Sequence, residues 1–170
     1  MTTATNSPSD TATARVHISI GSNAGPSREI VEAAIEAVEA LSEGPGRHSS
    51  LIVTQPWGFE SPHMFVNAGV DIDTALDPAA LLDRLQRIEQ ELPRRFGIAE
   101  NRHRNADGTY RDRPLDLDII FYGALCLATD SITVPHPCWR QREFVTAPLL
   151  QLHPGHTAET VWPGCYAGGL

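Results

Sequence analysis

The sequence contains no lysine, and all thirteen of its basic residues are arginine. A Walker A phosphate loop, a Schiff-base enzyme and an active site of the protein-kinase type each need a lysine, so these classes are excluded. No apolar run approaches the roughly 18 residues that span a membrane. The three cysteines, Cys126, Cys138 and Cys165, are odd in number and lack metal-ligand spacing. This pattern favours reduced thiols in a cytoplasmic protein over a disulfide framework.

The chain also has little that indicates a second domain or an export signal. With 170 residues, 41% of them hydrophobic, it is long enough for one domain with a sizeable core. The first residues are rich in Thr, Ser and Ala and lack the basic start and apolar stretch of a signal peptide. We therefore predict a flexible N-terminal tail over residues 1–14 and a single domain over residues 15–170.

The charge is distributed unevenly along the chain. The net charge of −8 disfavours binding to nucleic acid or to an anionic membrane. Arginines nonetheless cluster within twenty residues, at Arg94, Arg95, Arg102, Arg104, Arg111 and Arg113. Because the guanidinium group offers a planar fork of donors to phosphate and carboxylate oxygens, we expect an anionic small molecule as the partner.

Hydrophobic periodicity predicts two strands and a helix in the first third of the chain. Val16, Ile18 and Ile20 alternate with other residues, as in a strand. A helical pattern follows, for which Ser27 is the predicted N-cap. The segment SSLIVTQPWG then predicts a second strand.

The remaining pattern completes the order β-α-β-β-α-β. The segment FVNAGVDIDT predicts a third strand, and a second helix is expected to begin at Asp77 and to end at Pro93. Residues 94–112 form a long polar loop, which we interpret as an active-site lid because long structureless loops are rare in compact domains unless functional. Near the C-terminus, Pro148 predicts only short helices. This order predicts an α+β, ferredoxin-like sandwich with helices packed on a mainly antiparallel sheet.

Two carboxylates lie in the predicted strand that follows the arginine loop, in RDRPLDLDIIFYG; a short strand is predicted after it, near SITVPH. Asp116 and Asp118 are two residues apart, so in a strand they project from one face, about 6.5 to 7 Å apart. Two anions at this distance repel by roughly 2 to 3 kcal/mol at an effective dielectric constant near 20. Divalent ions would offset the repulsion, and oxygen ligands without a nearby cysteine favour Mg²⁺. The alternative is an ion pair with Arg113.

Other acidic and histidine pairs have simpler explanations. Asp71 and Asp73 repeat the D-x-D spacing at a strand end before a proline turn, where both side chains can lie in water. His153 and His156 resemble a metal-binding pair only superficially. We interpret all four as ordinary surface residues.

Five short motifs occur in order along the chain: GSN, FVNAGV, RIEQEL, RPLDLDII and VPHPCWRQREF. Together they resemble the 6-hydroxymethyl-7,8-dihydropterin pyrophosphokinase family, over about Val16 to about Pro154. The resemblance implies transfer of the β,γ-pyrophosphoryl unit of ATP to the hydroxymethyl group of 6-hydroxymethyl-7,8-dihydropterin, with release of AMP, in folate biosynthesis. It also implies two Mg²⁺ ions, mobile loops that close over ATP, and a monomer.

The same resemblance assigns individual residues. The two magnesium ligands of the family match Asp116 and Asp118, and a phosphate-loop arginine with a catalytic role matches Arg113. The ATP-binding positions match Gln86, Glu89, Arg94, Arg113, Thr133, His136 and Arg142. The pterin-binding positions match Thr54, Pro56, Trp57, Phe65, Asn67 and Phe144. Among these, Phe65 and Phe144 would stack on the two sides of the ring, and the amide of Asn67 would bind its edge.

Some of these residues have a structural alternative. Phe65 and Phe144 can be core residues, His136 can cap a turn, and Trp57 can be either a loop wedge or a lid over the pterin. Asn67 is harder to explain structurally, since asparagine is depleted in strands and needs partners when buried.

The chain departs from the family pattern at three places. Tyr110, Arg111 and Asp112 stand where the family often has Trp-Gly-Pro. Phe96 replaces a common basic residue, and Pro137 replaces a common aromatic residue. Two further functional classes use the same residues: a metal-dependent phosphohydrolase, and a non-catalytic ferredoxin-like binding module in which Asp116 and Asp118 are structural.

Overall fold

The computed structural model describes residues 12–102 and 104–165, so most of the predicted N-terminal tail lies outside the described residues. The strands are β1 (Ala14–Ser22), β2 (Arg47–His48), β3 (Ile52–Thr54), β4 (Phe65–Thr74), β5 (Asp116–Tyr122), β6 (Leu127–Ala128) and β7 (Thr133–Val134). The helices are α1 (Ser27–Glu39), α2 (Pro78–Glu91), α3 (Glu143–Leu152) and α4 (Ala158–Val161). Short 3₁₀ turns cover Leu92–Phe96, Trp139–Gln141 and Pro163–Cys165.

The main sheet is antiparallel. Strand β1 pairs with β4 on one side and with β5 on the other, while β2 and β3 both pair with β4. The second predicted strand, SSLIVTQPWG, is confirmed as β3 alone; β2 lies just before that segment, and both short strands lie along the same edge of β4. Strands β6 and β7 form a separate hairpin. The α+β, ferredoxin-like prediction is confirmed.

The two long helices show how local sequence determines their ends. Helix α1 begins at Ser27 itself, Pro26 occupies the N-cap position, and no side chain caps the helix, so the predicted cap was wrong by one residue. Helix α2 begins as predicted: the side chain of Asp77 accepts a hydrogen bond from the backbone N–H of Ala80 at 2.8 Å. No helix in the described part of the chain is long and apolar enough to cross a membrane.

Core residues pack on both faces of the sheet, although they cover only part of the second face. Helices α1 and α2 cover one face, where alternate residues of β1 and β5, including Ile18 and Leu117, join a single core cluster. A second cluster on the other face contains Phe121 and Trp162. The pairing of β1 with β5 shifts register between His17 and Ile18, and such a bulge changes which face the following residues occupy.

Helix α3 differs from the prediction for the C-terminal segment. Helix α3 runs for ten residues with Pro148 inside it, so the proline does not limit this segment to a short helix. Pro148 is buried. A Cβ atom added at Gly69 would lie only 2.8 Å from Pro148 Cβ. Gly69 therefore lets α3 pack directly on β4.

Asp71 is not a surface residue, and this corrects the sequence interpretation. Only 3% of its side chain is exposed; its carboxylate lies 2.7 Å from His17 Nδ1, 2.7 Å from His153 Nε2 and 3.2 Å from an Arg47 nitrogen. Burial alone would raise the pKa of Asp71, but the hydrogen bond from His17 and the charges of His153 and Arg47 hold this pKa below its ordinary value. His153 was likewise wrongly placed at the surface, since its side chain is 10% exposed.

The other members of the two sequence pairs, Asp73 and His156, are at the surface as expected. Asp73 is partly exposed and forms an ion pair with Arg15 at 3.1 Å. His156 is exposed. The matching D-x-D spacing in β4 therefore holds one buried carboxylate and one carboxylate in contact with solvent.

Candidate active site

A cleft of about 270 Å³ opens over the middle of the sheet. Strands β4, β1 and β5 form its floor, and its walls come from three loop regions around residues 55–64, 104–115 and 136–144. The predicted site residues that line it are Trp57, Phe65, Asn67, Arg113, Asp116, Asp118, His136, Arg142 and Phe144. The fold thus brings together residues that are up to 87 positions apart in the chain, from Trp57 to Phe144.

The strand register places the floor residues in rows. Asn67 pairs with Gly21, and Gly21 pairs with Asp116; in the next row of this face, Ser19 pairs with Asp118. Since neighbouring strands lie about 4.8 Å apart, the backbones of Asn67 and Asp116 are roughly 10 Å apart. A Cβ atom at Gly21 would lie 2.9 Å from Asn67 Oδ1, so the glycine keeps the space between the two functional residues open. Sequence reasoning had assigned no role to Ser19 and only a turn to Gly21.

Each aspartate of β5 forms an ion pair with an arginine. Arg113 lies 3.1 Å from Asp116, and Arg142 lies 3.2 Å from Asp118. Both arginine side chains are only 13% exposed, whereas the Asp118 side chain remains 35% exposed. The ion pair that was the alternative interpretation is therefore present at Asp116, and a second pair with a different arginine is present at Asp118.

The aspartates also fit a Mg²⁺ site chemically. Carboxylate oxygens are the hard ligands that Mg²⁺ prefers, and both carboxylates face the cleft. Within the described residues, no cluster of three or more His, Cys, Asp or Glu side chains could hold a metal ion. A bound Mg²⁺ would therefore take its other ligands from water and from substrate phosphates, as is common for this ion.

Aromatic rings stack on both arginines. The Arg113 guanidinium carbon lies 5.5 Å from the ring centres of Phe65 and Tyr110. The corresponding distances from Arg142 are 4.7 Å to Trp57 and 5.6 Å to Phe144. The cleft therefore has an aromatic residue on each side and a cation against each, which suits a flat, electron-rich ligand that carries an anionic group.

Asn67 is oriented by a neighbour on the edge strand. Its side chain is buried, and its Nδ2 group donates a hydrogen bond to Thr54 Oγ1 at 2.9 Å. This contact leaves Oδ1 directed toward the space beside Gly21. Thr54 therefore acts by orienting the amide, while the amide itself lines the cleft.

Glu89 lies behind the aspartate strand. It is buried in α2, and its carboxyl group accepts a hydrogen bond from the backbone N–H of Leu117 at 2.7 Å. Burial, together with the charges of Asp116 and Asp118, raises the pKa of Glu89 to about 8. The group is therefore mostly protonated at neutral pH, and its observed role is to hold β5 against α2.

The raised pKa of Glu89 gives a testable pH dependence for the ligand-free protein. In the unfolded chain Glu89 ionises near pH 4.5, whereas in the folded chain it keeps its proton up to about pH 8. The folded state thus binds more protons in this window, and the free energy of unfolding should fall as pH rises through it. Glu89→Gln keeps an oxygen for the Leu117 N–H and removes this loss. Between pH 4.5 and 8, the free energy of unfolding of this variant in urea should rise relative to that of the wild type by on the order of a few kcal/mol.

The matched control for that experiment is Glu91→Gln, which alters an exposed glutamate in the last turn of the same helix. It should follow the wild type across the whole range. Parallel curves for the wild type and Glu89→Gln would contradict the assignment of a protonated, buried Glu89.

A second cleft adjoins the first beside the β6–β7 hairpin. It measures about 300 Å³ and is lined by apolar residues of α2 and β5 and by the hairpin, including Thr133. Asp118 and His136 line both clefts, so these two side chains lie where the clefts adjoin. Gln86 lies in a neighbouring groove between α2 and the same hairpin.

His136 lies where the two clefts meet. Burial and the Arg142 charge hold the pKa of His136 below its ordinary value, although Asp118 acts in the opposite direction. The backbone N–H of Cys138 donates to His136 Nδ1 at 3.2 Å, so the neutral ring carries its proton on Nε2. His136 therefore does cap a turn, as the structural alternative proposed, and it also lines the cleft.

The predicted arginine loop contains little regular structure, as expected. Its described residues include a single bridge between Arg104 and Tyr110, and the guanidinium group of Arg104 lies 4.0 Å from the Tyr110 ring centre. Arg104 lines the cleft. Arg94 is exposed in the turn after α2, and Arg102 forms an ion pair with Glu100. The sequence could not indicate which arginine faces the cleft because the loop lacks a periodic pattern.

Comparison with known proteins gives a consistent result. The family model described as 7,8-dihydro-6-hydroxymethylpterin-pyrophosphokinase matches residues 17–154. Three bacterial relatives carry the name 2-amino-4-hydroxy-6-hydroxymethyldihydropteridine pyrophosphokinase. The protein of Porphyromonas gingivalis is 36% identical over 140 residues, covering 82% of this chain and 90% of the relative. The proteins of Pseudomonas aeruginosa and Haemophilus influenzae are 37% and 35% identical, covering 82% and 80% of this chain and 81% and 79% of the relatives.

Proposed function

The chain belongs to the 7,8-dihydro-6-hydroxymethylpterin-pyrophosphokinase family, and we propose that the two adjoining clefts are the site of its reaction. It is a pyrophosphokinase of folate biosynthesis that depends on ATP and magnesium and transfers pyrophosphate from ATP to 6-hydroxymethyl-7,8-dihydropterin, giving AMP and the pterin pyrophosphate. The observation that supports the location of the site is the row Asn67, Gly21 and Asp116 across three strands, which sets a polar amide opposite a carboxylate with open space between them.

The pterin ring is assigned to the first cleft. In this assignment Phe65 and Phe144 cover the two sides of the ring and Asn67 binds its edge, with Thr54 orienting the amide. Pro56 and Trp57 belong to the loop that borders this cleft, and Trp57 lines it. Burying a flat heterocycle between two rings combines loss of hydrated apolar area with stacking, which favours a pterin over a non-planar ligand.

The nucleotide is assigned to the second cleft, and its phosphates to the junction. The apolar part of its lining, formed by Leu82, Leu117 and Ile119, suits a purine base; Thr133 lines the same cleft, and Gln86 lines the neighbouring groove. At the junction, His136, Arg142 and Arg113 supply donors to phosphate oxygens. Arg94 is proposed to reach the nucleotide from the loop after α2. Glu89 acts behind β5, where it holds the aspartate strand in place.

Asp116 and Asp118 are proposed to hold two Mg²⁺ ions, which when bound would neutralise phosphate charge and position the phosphates. The remaining contributions come from the chain's own residues. Arg113 and Arg142 balance the two carboxylates and place positive charge beside the transferred group. Phe65 and Phe144 would direct the hydroxymethyl group of the pterin toward the junction of the clefts, and this alignment lowers the entropic cost of in-line attack. Closure of the loop over residues 94–112 would exclude water that could otherwise hydrolyse ATP.

We further propose a monomer with a single domain over residues 15–170, acting in the cytoplasm. The monomer is what the family resemblance implies. Cytoplasmic location is supported by the free thiols of Cys126 and Cys138 and by the use of ATP.

Product analysis tests this function directly. Purified protein incubated with ATP, Mg²⁺ and 6-hydroxymethyl-7,8-dihydropterin should form AMP and pterin pyrophosphate in equal amounts, and AMP should not form without the pterin. Release of inorganic phosphate from ATP alone would instead indicate a phosphohydrolase, and binding without turnover would indicate a non-catalytic module.

A further inference from the structure

Two loops border the mouth of the first cleft, and both contribute side chains to it. The loop over residues 55–64 contributes Gln55 and Trp57, and the loop over residues 104–115 contributes Arg104, Tyr110 and Arg113. Their relative position therefore determines the shape of the cleft. The contacts between them are concentrated on His63 and Asp112, neither of which lines the cleft and neither of which has been assigned a role so far.

His63 and Asp112 form a direct contact between the loops. His63 Nδ1 lies 2.5 Å from one carboxylate oxygen of Asp112. The other oxygen accepts a hydrogen bond from Asn23 Nδ2 at 2.6 Å. Burial alone would raise the pKa of Asp112, but hydrogen bonds from Ser61, His63 and Asn23 hold this pKa below its ordinary value, so the carboxylate is ionised at neutral pH.

Asn23 anchors this contact to the sheet. It lies just after β1, it is buried, and its Nδ2 group also approaches the backbone carbonyl of His63 at 3.3 Å. Its Oδ1 atom accepts from the backbone N–H of Arg113 at 2.9 Å, and its own N–H donates to the Arg113 carbonyl at 3.1 Å. One buried amide therefore fixes both loops to the end of the strand that forms the cleft floor.

The same two loops meet through aromatic rings nearer the cleft. The rings of Phe59 and Tyr110 are 6.2 Å apart, and Phe59 also contacts the edge of Phe65 at 6.2 Å. Tyr110 precedes Asp112 by two residues, and Arg113 follows it directly. Fixing Asp112 therefore fixes the direction of Tyr110, whereas the backbone of Arg113 is held separately by its two hydrogen bonds with Asn23.

We propose that His63 and Asp112 are positioning residues for the pterin, which tie the 55–64 and 104–115 loops together across the mouth of the cleft. The pair preorders the aromatic wall formed by Phe59, Phe65 and Tyr110, so that less conformational freedom is lost when the ring binds. This inference rests on the proposed assignment of the pterin to the first cleft. It concerns the pterin side alone, since the second cleft has no contact with either residue.

The test compares His63→Ala, Asp112→Ala and the double variant in steady-state kinetics. Each single change should raise KM for the pterin about five- to tenfold, with kcat and KM for ATP changed less than twofold. Because the two residues act as one unit, the double variant should be no worse than either single variant. His63→Asn, which places an amide nitrogen near the position of Nδ1, should recover part of the loss.

His48→Ala is the matched control. His48 forms a similar exposed pair with Glu39 at 2.8 Å, on β2 and α1. Its removal should leave all kinetic constants unchanged. Unchanged pterin KM in both single variants, or additive effects in the double variant, would overturn the proposal.

A second measurement separates this proposal from the proposed function. Hydrogen exchange of backbone amides in residues 55–64 should become about tenfold faster in Asp112→Ala, and unchanged exchange there would show that the pair does not tie the loops. If exchange accelerates but the wild type makes no pterin pyrophosphate, the loop contact stands and the functional assignment fails.

Discussion

Replacing Asp116 or Asp118 with alanine is expected to reduce turnover at least about a thousandfold while leaving the fold intact. The two carboxylates lie in one cleft on the same strand, and they are the only pair of neighbouring carboxylates among the described residues that line it. Loss of either removes an oxygen ligand for Mg²⁺ and leaves Arg113 or Arg142 without its carboxylate. Affinity for Mg²⁺ in the presence of a non-hydrolysable ATP analogue should fall in parallel with turnover.

The chain provides its own control in the second D-x-D sequence. Asp73→Ala removes a carboxylate at the same spacing, but from a partly exposed ion pair with Arg15, and such pairs contribute about 0 to 1 kcal/mol. This variant should retain wild-type turnover. A fully active Asp116→Ala or Asp118→Ala protein would mean that these carboxylates only balance the arginines and that the metal site lies elsewhere.

The sequence predicted most of the sheet because the alternation in its strands is regular. Ile18 and Leu117 follow a period of two, and burial on one face is the direct result. The start of α2 could also be located, since Asp77 followed by Pro78 combines a capping side chain with a residue suited to the first turn. These features depend on neighbours within a few residues, so one sequence contains the necessary information.

Features that depend on distant partners were missed. Asp71 appeared to be a surface residue because nothing near it in sequence indicates that His17 and His153 enclose its carboxylate. Pro148 lies inside α3, where it packs closely against Gly69 of β4, a contact that its neighbours in the sequence do not indicate. Strand β2 was likewise missed, since it lies before the segment SSLIVTQPWG and is defined only by its pairing with β4.

The candidate site shows the same limit. The carboxylates of β5 could be placed on one face from their spacing, but the pairing of Asn67 with Gly21 and of Gly21 with Asp116 depends on register between three strands. Arg142 was connected to ATP only through a family resemblance, whereas its contact with Asp118 comes from the turn before α3. Asp112 was noticed only as a departure from the family pattern, because its partner His63 is 49 residues away.

Replacing Asn67 with alanine is expected to lower kcat/KM for the pterin about a hundredfold, with the affinity for ATP unchanged. Asn67 is 2% exposed, so an edge of the ring that is desolvated against it would lose a hydrogen-bond partner that water cannot easily replace. Steady-state kinetics with the pterin varied, and calorimetric titration with an ATP analogue, separate the two substrates.

Thr54→Val provides a graded control for this prediction, since it keeps the shape of the side chain and removes only the oxygen that accepts from Asn67 Nδ2 at 2.9 Å. The amide then remains in the cleft but loses its fixed orientation, so the loss should lie between those of the wild type and Asn67→Ala. Equal effects on ATP and pterin in Asn67→Ala would show that the change distorts the floor around Gly21 as a whole. A selective, graded loss would instead identify the amide as the group that distinguishes the pterin, because only a specific hydrogen bond depends on orientation in this way.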